Sequence, residues 1–361
     1  MAKIGIACGG TGGHLYPGLA VAEALSSMGH AVRLYISTKE IDRKILSDYP
    51  QFQGVVLPTI GWTGFSPRVL KFCKKFWDAY RLSNREVREQ KLDAVLGMGG
   101  FTSAPLIVSA SRRGIPTFLH ESNAIPGKVT RLLSKQVKEV FVGFNECARH
   151  LSNVETKYTG TPVRSTLHKI EREKAAEYWK LDPEKFTIGI IGGSQGARGL
   201  NRMVIQAMVE WRHLQDQVQL IHLTGPTEGD LLVANYQRNG LHAVVRPYCN
   251  EMENLYSITD LLIARSGAAS LTEIGHFGLP SILVPYPAAA EDHQTRNARI
   301  FTKAGAALMV KEGKNAEKQL AQEVMQLHGN TAERARMSIK AATLTVKNAA
   351  HRVAEEVQRA L

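Results

Sequence analysis

Two stretches of the chain open alike. Ile4-Gly5-Ile6-Ala7-Cys8-Gly9-Gly10 and Ile188-Gly189-Ile190-Ile191-Gly192-Gly193 each run a short apolar segment into a pair of glycines. An apolar run of that length fits a strand buried on both faces, and the glycines fit a tight turn leaving it. After the first opening, Leu19, Ala22 and Leu25 keep helical spacing up to Gly29-His30, and a second apolar run follows at 31–36. Strand, turn, helix, strand is the repeating unit of a parallel sheet flanked by helices. Buried-strand candidates at 94–96, 117–119 and 139–142 extend the first unit. The second opening restarts the pattern, with a strand at 187–191, a helix at 201–211, and strands at 218–223, 243–246, 261–264 and 281–284. The expected fold is α/β, two doubly wound units in tandem with a boundary near 160–164, and a length of 361 residues suits two domains. The tail from about 332 to 361 reads as one or two amphipathic helices with Val346, Val353 and Val357 on one face. Doubly wound sheets bind ligands at the carboxyl ends of their strands, so two of them are expected to hold a donor and an acceptor across a cleft.

Composition narrows the partners. The formal charge of +12 favours an anionic one: nucleic acid, acidic lipid or a phosphorylated substrate. Cys8, Cys73, Cys147 and Cys249 are scattered without CxxC spacing, which suggests neither a disulfide framework nor a zinc site and fits a reducing compartment. The first apolar run is too short for a signal peptide, and no stretch is long enough to span a bilayer, so membrane contact is expected to be peripheral.

Three glycine loops follow strands: Gly9-Gly10-Thr11-Gly12-Gly13-His14, Gly97-Met98-Gly99-Gly100, and Gly192-Gly193-Ser194-Gln195-Gly196-Ala197-Arg198. Glycine lets a backbone approach a phosphate, and a helix start supplies N–H groups and partial positive charge. None fits GxGxxG in register or GxxxxGK[ST], so dinucleotide binding and ATP hydrolysis lose their support. Each loop alone could be a tight turn without a ligand. Three together favour a diphosphate or a glycan.

The segments GGTGGHLYPGLAVA (9–22), GMGGFTSAP (97–105), HESNAIPGK (120–128), GTPVR (160–164), GGSQGARGLN (192–201), RSGAASLTEI (265–274) and DHQTRNA (292–298) resemble, in sequence and order, the MurG family within glycosyltransferase family 28. The resemblance spans nearly the whole chain. It implies a GT-B fold: an acceptor- and membrane-binding Rossmann-like domain at 1–162, a UDP-GlcNAc-binding one at 163–341, and a final helix at 342–361 returning to the first. It also implies inverting transfer of N-acetylglucosamine (GlcNAc) from UDP-GlcNAc to the 4-hydroxyl of N-acetylmuramic acid (MurNAc). The acceptor would be undecaprenyl-pyrophosphoryl-MurNAc-pentapeptide, the lipid I to lipid II step of peptidoglycan synthesis. The enzyme would work at the cytoplasmic face of the bacterial membrane, with other cell-wall proteins as further partners.

Residue roles follow from the matched motifs. A carboxylate accepts from two vicinal hydroxyls at once, so Glu273 is expected to clamp the ribose, the alternative being a first-turn glutamate favoured by the helix dipole. Ser194 and neighbouring amides would hold the α/β-phosphates, unless Ser194 is simply an N-cap. Ala268, Ala269 and Ser270 open the same motif and join the substrate contacts. Arg164 resembles the family arginine near the nucleotide. His293 and Gln294 would meet the hydroxyls of GlcNAc, with the register of His293 open because the loop 287–291 departs from some members. Tyr248 and Cys249 fall at the uracil pocket, where a cysteine suits main-chain contact. Thr11, Gly12, Gly13, His14 and Asn123 belong to the acceptor side. A histidine near its unperturbed pKa of about 6.5 suits the base that takes the acceptor proton. His14 could equally be structural or bind the acceptor pyrophosphate, and Glu121 is the other candidate base. No DxD triplet occurs, so no tightly bound metal or other cofactor is expected and helix dipoles and amides would do its work.

Trp62, Phe65, Val69, Leu70, Phe72, Phe76, Trp77 and Tyr80 interleave with Arg68, Lys71, Lys74, Lys75 and Arg81. Aromatics beside cations read as an interfacial element meeting anionic lipid, or as a buried helix face with a basic back. No RNA- or DNA-binding motif accompanies them, so nucleic acid is not expected. The remaining alternatives are another GT-B transferase using a UDP-sugar, a dinucleotide-dependent oxidoreductase, and a non-catalytic UDP-sugar or lipid-binding module.

Overall fold

The structure, a computed structural model, describes residues 1–61, 68–193 and 196–361. It divides into two compact units, Met1–Arg164 with Val346–Leu361, and Ser165–Thr345. Breaks were expected at 162 and 341, and side-chain packing puts them later. The Arg164 guanidinium lies 4.1 Å from the centre of the Tyr16 ring and so stays with the first unit. Thr345 packs over Gly275 in the second unit, while the next residue, Val346, packs on Gly160 in the first.

The first unit runs β1 (Lys3–Ala7), α1 (Gly12–Ser27), β2 (Ala31–Ile36), α2 (Glu40–Ser47), β3 (Gln53–Val56) and α3 (Arg68–Glu89). It continues with β4 (Ala94–Gly97), α4 (Gly100–Ser111), β5 (Thr117–Glu121), α5 (Lys128–Leu133), β6 (Glu139–Val142), α6 (Asn145–Ala148) and β7 (Glu155–Tyr158). Its seven parallel strands are ordered β3-β2-β1-β4-β5-β6-β7. The order reverses where β1 meets β4, in register at Ala7 and Gly97. At such a switch point the connections leave to opposite faces and open space at the carboxyl ends. The first two glycine loops lie there.

The second unit begins with α7 (Arg172–Trp179), β8 (Phe186–Ile191), α8 (Arg198–Ala207), β9 (Val218–Leu223), α9 (Gly229–Arg238) and β10 (His242–Arg246). Then come α10 (Met252–Ile258), β11 (Leu261–Ala264), α11 (Ala268–Phe277), β12 (Ser281–Leu283), α12 (His293–Lys303), β13 (Ala307–Met309), α13 (Ala316–Gly329) and α14 (Thr331–Thr343). Six parallel strands are ordered β10-β9-β8-β11-β12-β13, with the reversal at β8 and β11. The third glycine loop and the Arg265-Ser266-Gly267 turn leave those two strands. The helix expected at 201–211 is α8 followed by a 3₁₀ stretch at Met208–Leu214.

The last helix, α15 (Ala349–Arg359), buries Val353, Ala354 and Val357 in the core of the first unit beside Ile4, Leu19 and Val21. Burying a valine side chain contributes about 1.5–3 kcal/mol, so this short helix docks by its apolar stripe. Lys157 bonds Glu356 at 2.6 Å and Glu139 at 3.1 Å across the same seam. Val346, expected on the helix face with Val353 and Val357, precedes the helix and packs on Gly160 instead.

Among the described residues no helix is long and apolar enough to cross a membrane. On α3 the expected aromatic cluster divides. Leu70 is 81% exposed and Trp77 57% exposed, beside exposed Lys71 and Lys74. Phe72 and Phe76 are half-buried: their rings stack 6.2 Å apart, Phe72 meets Phe101 edge-on, and Phe76 packs on the core. An i, i+3, i+4 spacing gives one helix both faces. Trp62 and Phe65 lie outside the described residues.

Candidate active site

In the first unit, Thr11 precedes α1 with extended backbone (φ −155°), and its carbonyl accepts from the N–H groups of His14 and Leu15. The first glycine loop is fixed from behind. Asp42, fully buried, accepts through Oδ2 from Gly10 N at 2.8 Å, Ser37 N at 3.0 Å and Ser37 Oγ at 2.5 Å, while Lys39 Nζ donates to the Gly10 carbonyl at 2.5 Å. A Cβ on Gly9 would stand 2.1 Å from Ser37 N, so glycine here serves close approach to the end of β2 rather than a phosphate. The Gly10 N–H is likewise committed to Asp42.

His14 projects from the first turn of α1 onto the second glycine loop. Gly99 and Gly100 take φ of +90° and +70°, and a Cβ on Gly100 would come within 3.1 Å of the His14 ring. Thr11 Oγ1 lies 3.4 Å from His14 Nδ1. Burial lowers the His14 pKa below 6.5, Glu121 and Asp42 partly oppose that, and Lys39 adds to the lowering. A depressed pKa leaves the imidazole neutral at pH 7, able to accept a proton.

Glu121, at the end of β5, is engaged on both oxygens. Oε1 accepts from Asn123 N at 3.1 Å and Asn123 Nδ2 at 3.0 Å, and Oε2 from Gly127 N at 2.9 Å and Thr130 Oγ1 at 2.7 Å. It shapes the loop that carries Asn123. His120 Nε2–H donates to the Gly160 carbonyl at 2.9 Å, and burial lowers its pKa. Arg164 stacks on Tyr16 and bonds Tyr49, inside the first unit.

In the second unit, Ser194 lies outside the described residues, and α8 is capped at Ala197. α11 starts after Gly267, and its first intrahelical acceptor pairs with Leu271 N, which leaves the N–H groups of Ala268, Ala269 and Ser270 without intrahelical partners. Such a terminus suits an anion. Glu273 stands in the middle of α11, half-exposed, so the first-turn alternative does not apply. Its Oε2 accepts from the Tyr256 hydroxyl at 2.6 Å.

Gln294 opens α12. Its side-chain oxygen accepts from Tyr286 N at 2.9 Å and its main-chain oxygen from Ser266 Oγ at 2.9 Å, which fixes the side-chain amide by its oxygen. His293 Nδ1–H donates to the Ala290 carbonyl at 2.7 Å. The two residues before it, Glu291 (φ 53°) and Asp292 (φ 54°), are left-handed without being glycine, strain of the kind that collects at ligand sites. Tyr248 is exposed and Cys249 buried. Burial raises the Cys249 thiol pKa, so the residue offers its main chain, not a thiolate.

The first unit therefore gathers Thr11, Gly12, Gly13, His14, Glu121 and Asn123 around its switch-point loops, apart from Arg164. The second holds Ala268, Ala269, Ser270 and Glu273 on α11 and His293 and Gln294 on α12. Sequence reasoning missed Asp42, Lys39, Tyr256 and Arg265. Arg265 is buried, donates to the carbonyls of Val284 and Pro285, and pairs with Glu312. Only the glycine and RSG motifs pointed near them.

The chain matches the Glycosyltransferase family 28 N-terminal domain over residues 4–142 and the C-terminal domain of that family over 187–353. It is 35% identical over 337 residues (89% of each chain) to the UDP-N-acetylglucosamine–N-acetylmuramyl-(pentapeptide) pyrophosphoryl-undecaprenol N-acetylglucosamine transferase of Desulforamulus reducens. Identity to the protein of the same name from Gloeobacter violaceus is 36% over 361 residues, covering 98% of this chain and 97% of the other. The crystal structure of Acinetobacter baumannii MurG superposes with a TM-score of 0.78 at 28% identity, covering 99% of both chains.

Proposed function

The chain belongs to glycosyltransferase family 28, and from that membership we propose that it transfers GlcNAc from UDP-GlcNAc to the 4-hydroxyl of MurNAc in undecaprenyl-pyrophosphoryl-MurNAc-pentapeptide, making lipid II from lipid I. One observation supports the reading: in each unit the glycine or Arg265-Ser266-Gly267 turns leave the two strands of the switch point, and the other candidate residues stand at or beyond the carboxyl ends of further strands, Glu121 and Asn123 at β5, Tyr248 and Cys249 after β10, His293 and Gln294 after β12. The first unit takes the acceptor and the second the donor.

In the second unit Glu273 accepts from the ribose hydroxyls, Tyr248 and the Cys249 main chain meet uracil, and Gln294 with His293 meets the sugar. The N–H groups at the start of α11, together with Ser194 and its neighbouring amides, take the charge that grows on the departing diphosphate. Preorganised dipoles aimed at developing charge are among the largest sources of rate enhancement. In the first unit Thr11, Gly12, Gly13 and Asn123 hold the acceptor, and His14, neutral at pH 7, takes the proton of the attacking hydroxyl. Glu121 has both oxygens engaged with loop donors and holds Asn123 in place, a poorer base than the imidazole. Arg164 helps fix the α1 end of this unit through Tyr16. No metal is held tightly, and helix dipoles and amides take its place at the diphosphate.

A radiolabel transfer assay from UDP-GlcNAc to a short-chain lipid I analogue tests this. Labelled lipid and stoichiometric UDP are expected, with the rate unchanged by a chelator. UDP-GlcNAc binding without acceptor-dependent UDP release would leave only a binding module.

The acceptor carries a lipid, so the enzyme works at the cytoplasmic membrane surface without spanning it. Leu70 and Trp77 with Lys71 and Lys74 make the contact. Replacing Leu70 and Trp77 with serine is expected to lower binding to anionic liposomes about tenfold or more while sparing turnover of a soluble acceptor. Phe72 and Phe76 pack inward, so their loss would confuse folding with binding. Undiminished sedimentation of the double variant with liposomes would remove this face from the account.

A further inference from the structure

The ribose reading of Glu273 leaves open what holds its carboxylate still. The last torsion of a glutamate side chain is broad, so an unbraced carboxylate samples many planes. Tyr256, on α10, is 2% exposed, and its ring packs on Phe277 with centroids 5.0 Å apart. That packing gives its hydroxyl one direction, and it donates to Glu273 Oε2 at 2.6 Å. Bonds to a charged acceptor are short and strong. Each carboxylate oxygen accepts about two hydrogen bonds, so the bond from Tyr256 does not by itself exclude a ligand.

We infer that Tyr256 is a positioning residue that sets the plane of the Glu273 carboxylate to meet both ribose hydroxyls at once, and so contributes to selecting ribonucleotide over deoxyribonucleotide donors. This rests on Glu273 being the ribose clamp. α10 packs beside both α7 and α11, so the orientation is inherited from the core of the second unit rather than from a surface loop.

The test is Tyr256→Phe, which keeps the packed ring and removes one hydroxyl. Donor KM is expected to rise about tenfold with kcat little changed, and the wild-type preference for UDP-GlcNAc over its 2′-deoxyribose and 3′-deoxyribose counterparts should shrink by the same factor. A rise in KM that is equal for all three donors would mean general packing and overturn the inference. In a Glu273→Ala background the tyrosine change should add nothing, and an independent, additive loss also overturns it. A Glu273→Ala enzyme that keeps the full preference for ribose would instead remove the clamp itself, whatever Tyr256 does. Circular dichroism checks the fold, and Tyr256→Leu, which also removes the donor, carries the same readout should the phenylalanine variant not fold.

Discussion

Replacement of His14 by alanine is expected to lower kcat by ~10²–10⁴-fold, the range a positioned general base supplies, with donor KM little changed. The imidazole sits in the first turn of α1, pressed against the left-handed Gly99-Gly100 backbone, and burial is the largest cause of its lowered pKa. The sign of the pH dependence follows. Burial disfavours the protonated form, so the free base predominates at pH 7 and little is gained above it. As pH falls below about 6.5, the unperturbed value, the imidazole begins to protonate and kcat/KM declines, on a limb lying on the acid side of 6.5. The same depression works against the folded state in acid: stability held above about 6.5 is lost as pH falls toward the folded pKa, because the unfolded chain binds the proton more readily. Thermal unfolding at each pH separates the two effects. If the alanine variant keeps the acid limb of the wild type, His14 is not the titrating base. A loss confined to acceptor KM would make it a pyrophosphate or sugar ligand instead.

Glu273→Ala should raise the KM for UDP-GlcNAc by about 10²-fold and leave acceptor KM within about twofold. Two hydrogen bonds from hydroxyls to a carboxylate, each contributing about 1.5 kcal/mol, set that magnitude through about 1.4 kcal/mol per decade. The residue stands in the middle of α11 and is half-exposed. The helix dipole contributes little there, since its effect falls off within the first turn. The stability cost of the substitution should therefore be small, and the loss should appear in binding. Isothermal titration with UDP reads it directly, and an unchanged affinity would end the ribose assignment. Glu273→Gln is the sharper variant. It keeps size and helix propensity but replaces one acceptor oxygen with a donor, so it should lose most of the same affinity.

Much of this was legible in the chain. Interior strands such as β6 and β9 are buried along their whole length and mostly apolar, with Glu139, Gln219 and His222 the exceptions, so their bounds could still be read from the sequence. β3, β7 and β13 escaped because they are short edge strands. Gln-Gly-Val-Val and Glu-Thr-Lys-Tyr carry no continuous apolar run, since an edge strand need not be buried on both sides. The family motifs named the candidate positions, because each is a run of contiguous residues around a turn.

What the linear order could not supply was the side chain that holds each functional group. Asp42 reaches back across β2 to Gly10, Tyr256 reaches from α10 to Glu273, and Arg265 reaches from β11 to the end of β12 and to Glu312. The sequence by itself determined two strand–turn–helix repeats, because burial on both faces of a parallel strand demands a local pattern. Only the tertiary structure decided which residues orient the functional groups, because a hydrogen bond of ~3 Å joins partners by proximity in space, and spacing along the chain carries no record of it.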